Sequence, residues 1–152
     1  MGLEIERKFI VHKLPPKIKN LSHYQIEQRY DTSHKRVRRI TRSGKQEFRL
    51  TIKKGKGLVR SENEKAIDKK RFDKLWIMGI KEVRKTRYLM PHGKNTIEID
   101  VLKGKNKGLV LAEVEFKTVN EAKRFQPPAW FGKEVTNDAK YTNSNLAIKL
   151  KK

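Results

Sequence analysis

Apolar and polar residues alternate along the opening run of the chain. Leu3, Ile5 and Phe9 share one parity, while Glu4, Glu6 and Lys8 share the other. Side chains alternate across a strand, so period 2 predicts a β-strand with two carboxylates and an ammonium on one face. A helix would scatter them: Glu4 and Lys8 would meet at i, i+4 while Glu6 pointed away. The same alternation predicts strands over residues 24–30, 35–41, 48–53, 60–64, 83–90, 96–102 and 109–116. Pro15-Pro16, Ser43-Gly44 and Gly55-Lys56-Gly57 punctuate them. The period changes over 68–78, where Asp68 can cap a helix and Phe72, Leu75 and Trp76 fall at helical spacing before Gly79. Shorter helices are expected over 120–125 and 143–148.

One face of strand after strand carries charge. The set is Glu4, Glu6, Lys8; Arg36, Arg38; Lys53; Arg60, Glu62, Glu64; Lys85, Arg87; Glu98, Asp100; and Glu113, Glu115. Taken singly, each run reads as the wet face of an amphipathic strand. Taken together they lack the Ser, Thr, Gln and Asn that dilute charge on ordinary surfaces. A closed barrel accounts for this better, with charged faces lining an interior and apolar faces packing outward. Closure also removes exposed sheet edges. Such an interior is tolerable only if its charges pair or if water, metal ions and a polyanion fill it. The expected fold is therefore α+β, a closed antiparallel barrel of about eight strands forming a charged tunnel, with a few helices packed outside.

Composition narrows the partners. The 152 residues suit one domain spanning 1–152, large enough to bury a core. The absence of cysteine excludes disulfides, thiolate zinc sites and a cysteine nucleophile. No apolar run reaches a membrane span and the N-terminus enters a strand pattern directly, so a cytoplasmic protein with no membrane partner is expected. A net charge of +21, from 38 Lys+Arg against 17 Asp+Glu, points to an anionic partner, nucleic acid included, or to a tolerant surface. Lys17, Lys19, Lys103, Lys105, Lys107, Lys149, Lys151 and Lys152 flank turns or the chain end and read as solvated. His12, His23, His34 and His92 have no metal-ligand spacing, and no nucleophile set of the Ser/His/Asp or Cys/His kind is visible.

The ordered series of motifs resembles the CYTH superfamily, the triphosphate tunnel metalloenzymes, over nearly the whole chain. It comprises Glu4-Ile5-Glu6-Arg7-Lys8-Phe9, Arg36-Val37-Arg38, Leu50-Thr51-Ile52-Lys53, Arg60-x-Glu62-x-Glu64, Lys85-Thr86-Arg87-Tyr88, Glu98-x-Asp100, Glu113-Val114-Glu115-Phe116 and Phe131-Gly132-Lys133-Glu134-Val135-Thr136. Tyr141 and Asn145-Leu146-Ala147 complete it. Lys140, Arg39 and Arg49 depart from the usual pattern, each adding or keeping positive charge.

The resemblance implies a short-chain inorganic triphosphatase. It would be a metal-dependent enzyme that hydrolyses tripolyphosphate to pyrophosphate and phosphate by in-line attack of water. Lys8, Arg36, Arg38, Lys53, Arg60, Lys85 and Arg87 are the expected substrate cations, since arginine forks take two phosphate oxygens and lysine acts as a point charge. Glu4, Glu6, Glu64, Asp100, Glu113 and Glu115 are the expected hard oxygen ligands for Mg²⁺ or Mn²⁺. Glu4, Glu6 and Lys85 are the expected catalytic residues. The alternatives are a class IV-type adenylyl cyclase, a phosphatase of nucleoside, thiamine or RNA 5′-triphosphates, and a non-catalytic polyphosphate-binding module. No adenine-stacking motif is evident, and the paired acids are unexplained by electrostatic binding alone. Outward apolar strand faces would allow a homodimer.

Overall fold

The computed structural model describes residues 2–151. Eight antiparallel strands run β1 (Gly2–Val11), β2 (Ser22–Tyr30), β3 (Arg36–Arg42), β4 (Lys45–Lys54), β5 (Val59–Ala66), β6 (Lys81–His92), β7 (Asn95–Leu102) and β8 (Val110–Phe116). Their neighbour order is β6-β2-β3-β4-β5-β1-β8-β7, and β7 pairs back onto β6, so the sheet closes on itself. The closed antiparallel barrel expected from the charge pattern is therefore the observed fold. Three short helices accompany it: α1 (Lys69–Ile77), α2 (Val119–Arg124) and α3 (Asn143–Leu146). Ser43 and Gly44 both take positive φ, 50° and 78°, which matches the twist of the β3–β4 hairpin they join.

Two of the apolar clusters lie outside the barrel wall, as the outward parity requires. Ile5, Phe9, Ile97, Ile99, Ala112, Val114 and Phe116 pack under α2, whose Ala122 is fully buried and whose following residue, Phe125, joins the same cluster. Thr118 caps α2 by accepting a hydrogen bond from the Glu121 N–H. On the opposite wall Phe72 of α1 inserts between Val37 and Leu50. Asp68 caps that helix by accepting from the Arg71 N–H at 2.8 Å. The Phe72 ring sits 4.5 Å from Phe48 and 5.1 Å from Trp76. Truncating such a fully buried phenylalanine costs about 3–5 kcal/mol.

The third cluster fills one end of the lumen itself. Tyr30, Val83, Leu102, Leu111 and Val135 form it, with Ile10, Tyr141 and Leu146 against them. The barrel interior is thus charged along part of its length and apolar at one end, where the C-terminal segment closes over it. The helix expected over 143–148 stops at Leu146, and Ile148–Lys149 form a further strand, β10, on β6. Another addition, β9 (Phe131–Glu134), pairs with β1. Both additions occupy edges that the barrel register leaves free. β7 pairs only with residues 85–92 of β6, and β5 only with residues 2–5 of β1. The projecting ends, 81–82 and 9–11, would otherwise expose backbone donors and acceptors.

Candidate active site

Strand parity points sixteen charged side chains at the lumen wall between its rims. The cations are Lys8, Arg36, Arg38, Arg49, Lys53, Arg60, Lys85 and Arg87, and the carboxylates are Glu4, Glu6, Glu62, Glu64, Glu98, Asp100, Glu113 and Glu115. Eight face eight, so the wall is formally neutral. Their pairing is uneven, and the unevenness distinguishes residues that build the wall from residues available to a ligand.

The tightest group is built by β6 and β7. Arg87 holds Asp100 through Nε and Nη2 at 2.7 and 2.9 Å, and Lys85 Nζ lies 2.8 Å from the same carboxylate. Burial opposes the charge on Asp100, yet Arg87 and Lys85 outweigh it and keep the carboxyl below its ordinary range. Lys85 has no exposed side-chain surface and also donates to Asn143 Oδ1 at 3.0 Å. Burial lowers its pKa to about 8. Arg87 extends to Glu98 at 3.1 Å and Glu113 at 3.5 Å.

A second group lies where β4, β5 and β1 meet. Lys53 Nζ lies 3.0 Å from Glu4, with Arg60 at 3.8 Å from the same carboxylate. Burial and a hydrogen bond shared with Glu4 lift Glu62 to about 7. For Glu4 burial acts upward too, but the Glu62 bond and Lys53 hold it below its ordinary range. Glu64 accepts from Thr51 Oγ1 at 2.9 Å and from Arg36 at 3.5 Å.

The unsatisfied groups are informative. Among the described residues Arg36 Nε and Glu113 Oε1 are buried without a hydrogen-bond partner, although Lys8 Nζ faces the carboxylate oxygen at 3.3 Å. Arg38 spends Nε on Gln28 Oε1 at 3.0 Å. Burial, then Arg36 and Arg87, lower its pKa to about 10, so it stays cationic at neutral pH. Glu6 has no ion pair among the described residues. Burial, Glu113 and Glu4 push its carboxyl well above the ordinary range. Oxygens of Glu6, Glu98 and Glu113 lie within 4.8 Å of one another. Burial likewise raises Glu98, although Arg87 opposes it. A divalent cation fits this trio: three hard oxygen donors converge, and burial raises the proton affinity of Glu6 and Glu98, a cost that a cation at this point would relieve.

Beside this trio opens a cavity of about 400 Å³. Glu6, Lys8, Arg36, Lys53 and Arg60 line it from the barrel, and residues 135–139 and 141–145 from the C-terminal segment. Lys8 Nζ is 3.3 Å from Glu113 and donates to Tyr141 O at 3.1 Å. At the mouth Gly57, with φ +78°, lets the 55–57 loop approach Asn137, whose Oδ1 would lie 2.5 Å from a Cβ there.

Among the expected substrate cations, Lys8, Arg36, Lys53 and Arg60 thus line the cavity. Arg38, Lys85 and Arg87 lie buried behind it. The six expected metal ligands are not gathered at one point. Glu6 and Glu113 meet; Glu4, Glu64 and Asp100 face cations elsewhere on the wall; and Glu115 is exposed. Glu98, which the sequence placed on a charged face but outside the ligand set, completes the trio. His34, in a left-handed conformation (φ 63°), also lines the cavity, although nothing in its sequence context marked it.

No family model matches the chain. Among curated proteins, it is 38% identical over 151 residues to the inorganic triphosphatase of Nitrosomonas europaea, covering 97% of this chain and 98% of that one. It is 35% identical over 152 residues to the inorganic triphosphatase of Acetivibrio thermocellus, covering 96% and 94%. A crystal structure of an inorganic triphosphatase superposes with a TM-score of 0.68 at 34% identity, covering 100% and 99%. A Pyrococcus furiosus protein at 18% identity shares the fold, with a TM-score of 0.56 over 79% of this chain and 83% of that one.

Proposed function

The chain belongs to the inorganic triphosphatases, and from that premise we propose how it hydrolyses tripolyphosphate to pyrophosphate and phosphate. The observation that carries the reading is the cavity, which Lys8, Arg36, Lys53 and Arg60 line together with Glu6, the member of the carboxylate trio that reaches it. Together with the ordered motif series, the closed barrel supports placing the chain in the CYTH superfamily, with residues 1–152 acting as one unit.

A tripolyphosphate carries four to five negative charges, so it needs several cations aimed at separate phosphoryl groups. Lys8, Arg36, Lys53 and Arg60 take that role, and Arg38 reaches the deeper end with the guanidinium nitrogens that Gln28 leaves free. The orphaned Arg36 Nε is satisfied when a phosphate oxygen arrives. Glu6, Glu98 and Glu113 would hold Mg²⁺ or Mn²⁺, which would supply charge neutralisation and Lewis-acid polarisation at the phosphate. Glu6 orients the attacking water and accepts its proton. Pyrophosphate leaves stabilised by Lys8 and Arg36, without needing a protonating acid. Lys85 and Arg87 touch no cavity surface and act through Asp100 and Glu113, which they hold charged and in place. Glu4, engaged by Lys53, sets the position of that lysine.

A phosphate-release panel of tripolyphosphate, ATP, GTP and thiamine triphosphate, each with Mg²⁺ and Mn²⁺, tests the proposal. Tripolyphosphate is expected to be cleaved fastest, with no turnover in chelator. Cyclic AMP as the main product from ATP would overturn it, and so would binding of tripolyphosphate without phosphate release under any divalent metal.

A further inference from the structure

The large positive charge of the chain has no use in the lumen. The wall holds eight cations and eight carboxylates, so thirty of the 38 Lys+Arg and nine of the 17 Asp+Glu lie elsewhere. The entire net charge of +21 therefore belongs to the rims and the outer surface. Solubility of a small domain asks for a net charge of only about 2–8.

Part of this excess is gathered on one face. The Lys103 N–H donates to Arg84 O at 3.0 Å, Lys103 Nζ donates to Gln25 Oε1 at 2.8 Å, and Asn106 Nδ2 donates to Leu146 O at 2.7 Å. These bonds fasten the 103–107 loop to the outer side of β6 and β2 and to the C-terminal segment. The face presents Arg84, Lys103, Lys105 and Lys107, all exposed. The carboxylates beside it are Glu82 and Glu27, which bridge Arg84 but are already held by Arg29 and Arg39 at 2.9 and 3.0 Å. Lys105 and Lys107 have no ion pair among the described residues.

What this face lacks narrows its partner. Leu3, Leu14, Ile52, Val59, Ile77 and Met78 are the exposed large hydrophobics, and none lies on these segments. A peripheral membrane contact would want such an apolar anchor beside the cations. The ring on the outer side of β6, Tyr88, is half-buried against the apolar cluster and His23, which leaves it no free face on which an unpaired base could stack. A surface of flexible lysines alone suits a regular, closely spaced row of phosphates.

We propose that this face binds the phosphate backbone of duplex nucleic acid without regard to sequence, at a surface separate from the lumen. Each lysine neutralises a phosphate and releases a condensed counterion, so binding weakens steeply with salt.

The test is fluorescence anisotropy of a labelled duplex with 5′-hydroxyl ends, as DNA and as RNA, in the absence of divalent metal. Both are expected to bind with a dissociation constant on the order of micromolar at low salt and a log–log salt slope of about −3 to −4. The variant Lys103→Glu/Lys105→Glu/Lys107→Glu should lose at least about tenfold in duplex affinity while hydrolysing tripolyphosphate at the parental rate, which also reports an intact fold. The milder Lys105→Gln/Lys107→Gln pair should lose affinity in the same direction. Three results would overturn the proposal: duplex affinity untouched by these substitutions, displacement of the duplex by stoichiometric tripolyphosphate, or retention on phosphatidylglycerol vesicles with no duplex binding.

Discussion

Arg87 grips Asp100 through two parallel hydrogen bonds, Nε to Oδ1 at 2.7 Å and Nη2 to Oδ2 at 2.9 Å, and both side chains are buried. Because Lys85 shares the same carboxylate at 2.8 Å, Asp100 compensates two buried cations at close range. Asp100→Ala is therefore expected to destabilise the protein by about 3–5 kcal/mol, the usual effect of stranding buried charge. Urea denaturation followed by circular dichroism measures it. A loss under about 1 kcal/mol would mean that water reaches and solvates the two cations.

Glu6→Gln should act in the opposite sense. Glu6 has no ion pair and is crowded by Glu113 and Glu4, so its charge is unfavourable in the metal-free protein. The amide removes that repulsion and one metal ligand together. We expect a higher melting temperature in chelator at pH 8 and a Mg²⁺ requirement for activity raised by about 10–100-fold, the range seen when groups that support a metal site are altered. A variant with lower thermal stability and unchanged Mg²⁺ dependence would remove Glu6 from the ligand set.

The raised carboxyls set a pH dependence of stability. Glu62 shifts from 4.5 to about 7, and Glu6 and Glu98 shift in the same direction. Between 4.5 and about 7 the folded state then holds protons that the unfolded chain has released, so these groups make stability fall as pH rises. Glu113 works oppositely. Its carboxyl is held well below the ordinary range by Lys8, Lys85 and Arg87 despite its burial, so its contribution is present above that range and lost on strong acidification. Melting temperature in chelator should thus decline from about pH 5 to pH 8. Added Mg²⁺ should restore most at the alkaline end, where proton competition for Glu6 and Glu98 is weakest. A flat profile with metal stabilisation equal at pH 5 and pH 8 would contradict the arrangement.

Arg36→Lys tests substrate recognition. Arg36 has a buried Nε without a partner and Nη2 already engaged by Thr51 and Glu64. Lysine keeps the charge but loses the fork. A charge-assisted hydrogen bond contributes about 1.5–3 kcal/mol, so KM for tripolyphosphate is expected to rise by about 10–100-fold. Steady-state kinetics with a thermal melt as control would show it, and an unchanged KM would place the substrate away from Arg36.

Much of this protein was legible before folding because strand periodicity is local. Alternation alone put Glu4, Glu6, Lys8, Arg36, Arg38, Lys53, Lys85 and Arg87 on inward faces. The charge on those faces implied closure, since an interior of this kind needs partners all round. Asp68 and Phe72 likewise announced α1. Gaps appear wherever contacts depend on distant register. β9 and β10 form only because the barrel stagger leaves the ends of β1 and β6 unpaired. Tyr30, Val83, Leu102 and Leu111 share parity with the charged residues, and nothing local showed that they close one end of the lumen.

The division at the site has the same cause. Sequence determined which carboxylates face inward, because a residue's face follows from its own strand. Only the tertiary structure decided which of them can meet. Glu98 sits directly opposite Glu113 across β7–β8, and Lys8 sits opposite Glu113 across β8–β1, which brings Glu6 diagonally to the same point. Asp100, two residues along from Glu98, lies instead opposite Arg87 and is neutralised there. A shift of two residues in either register would preserve every inward face and still exchange a metal ligand for a wall residue.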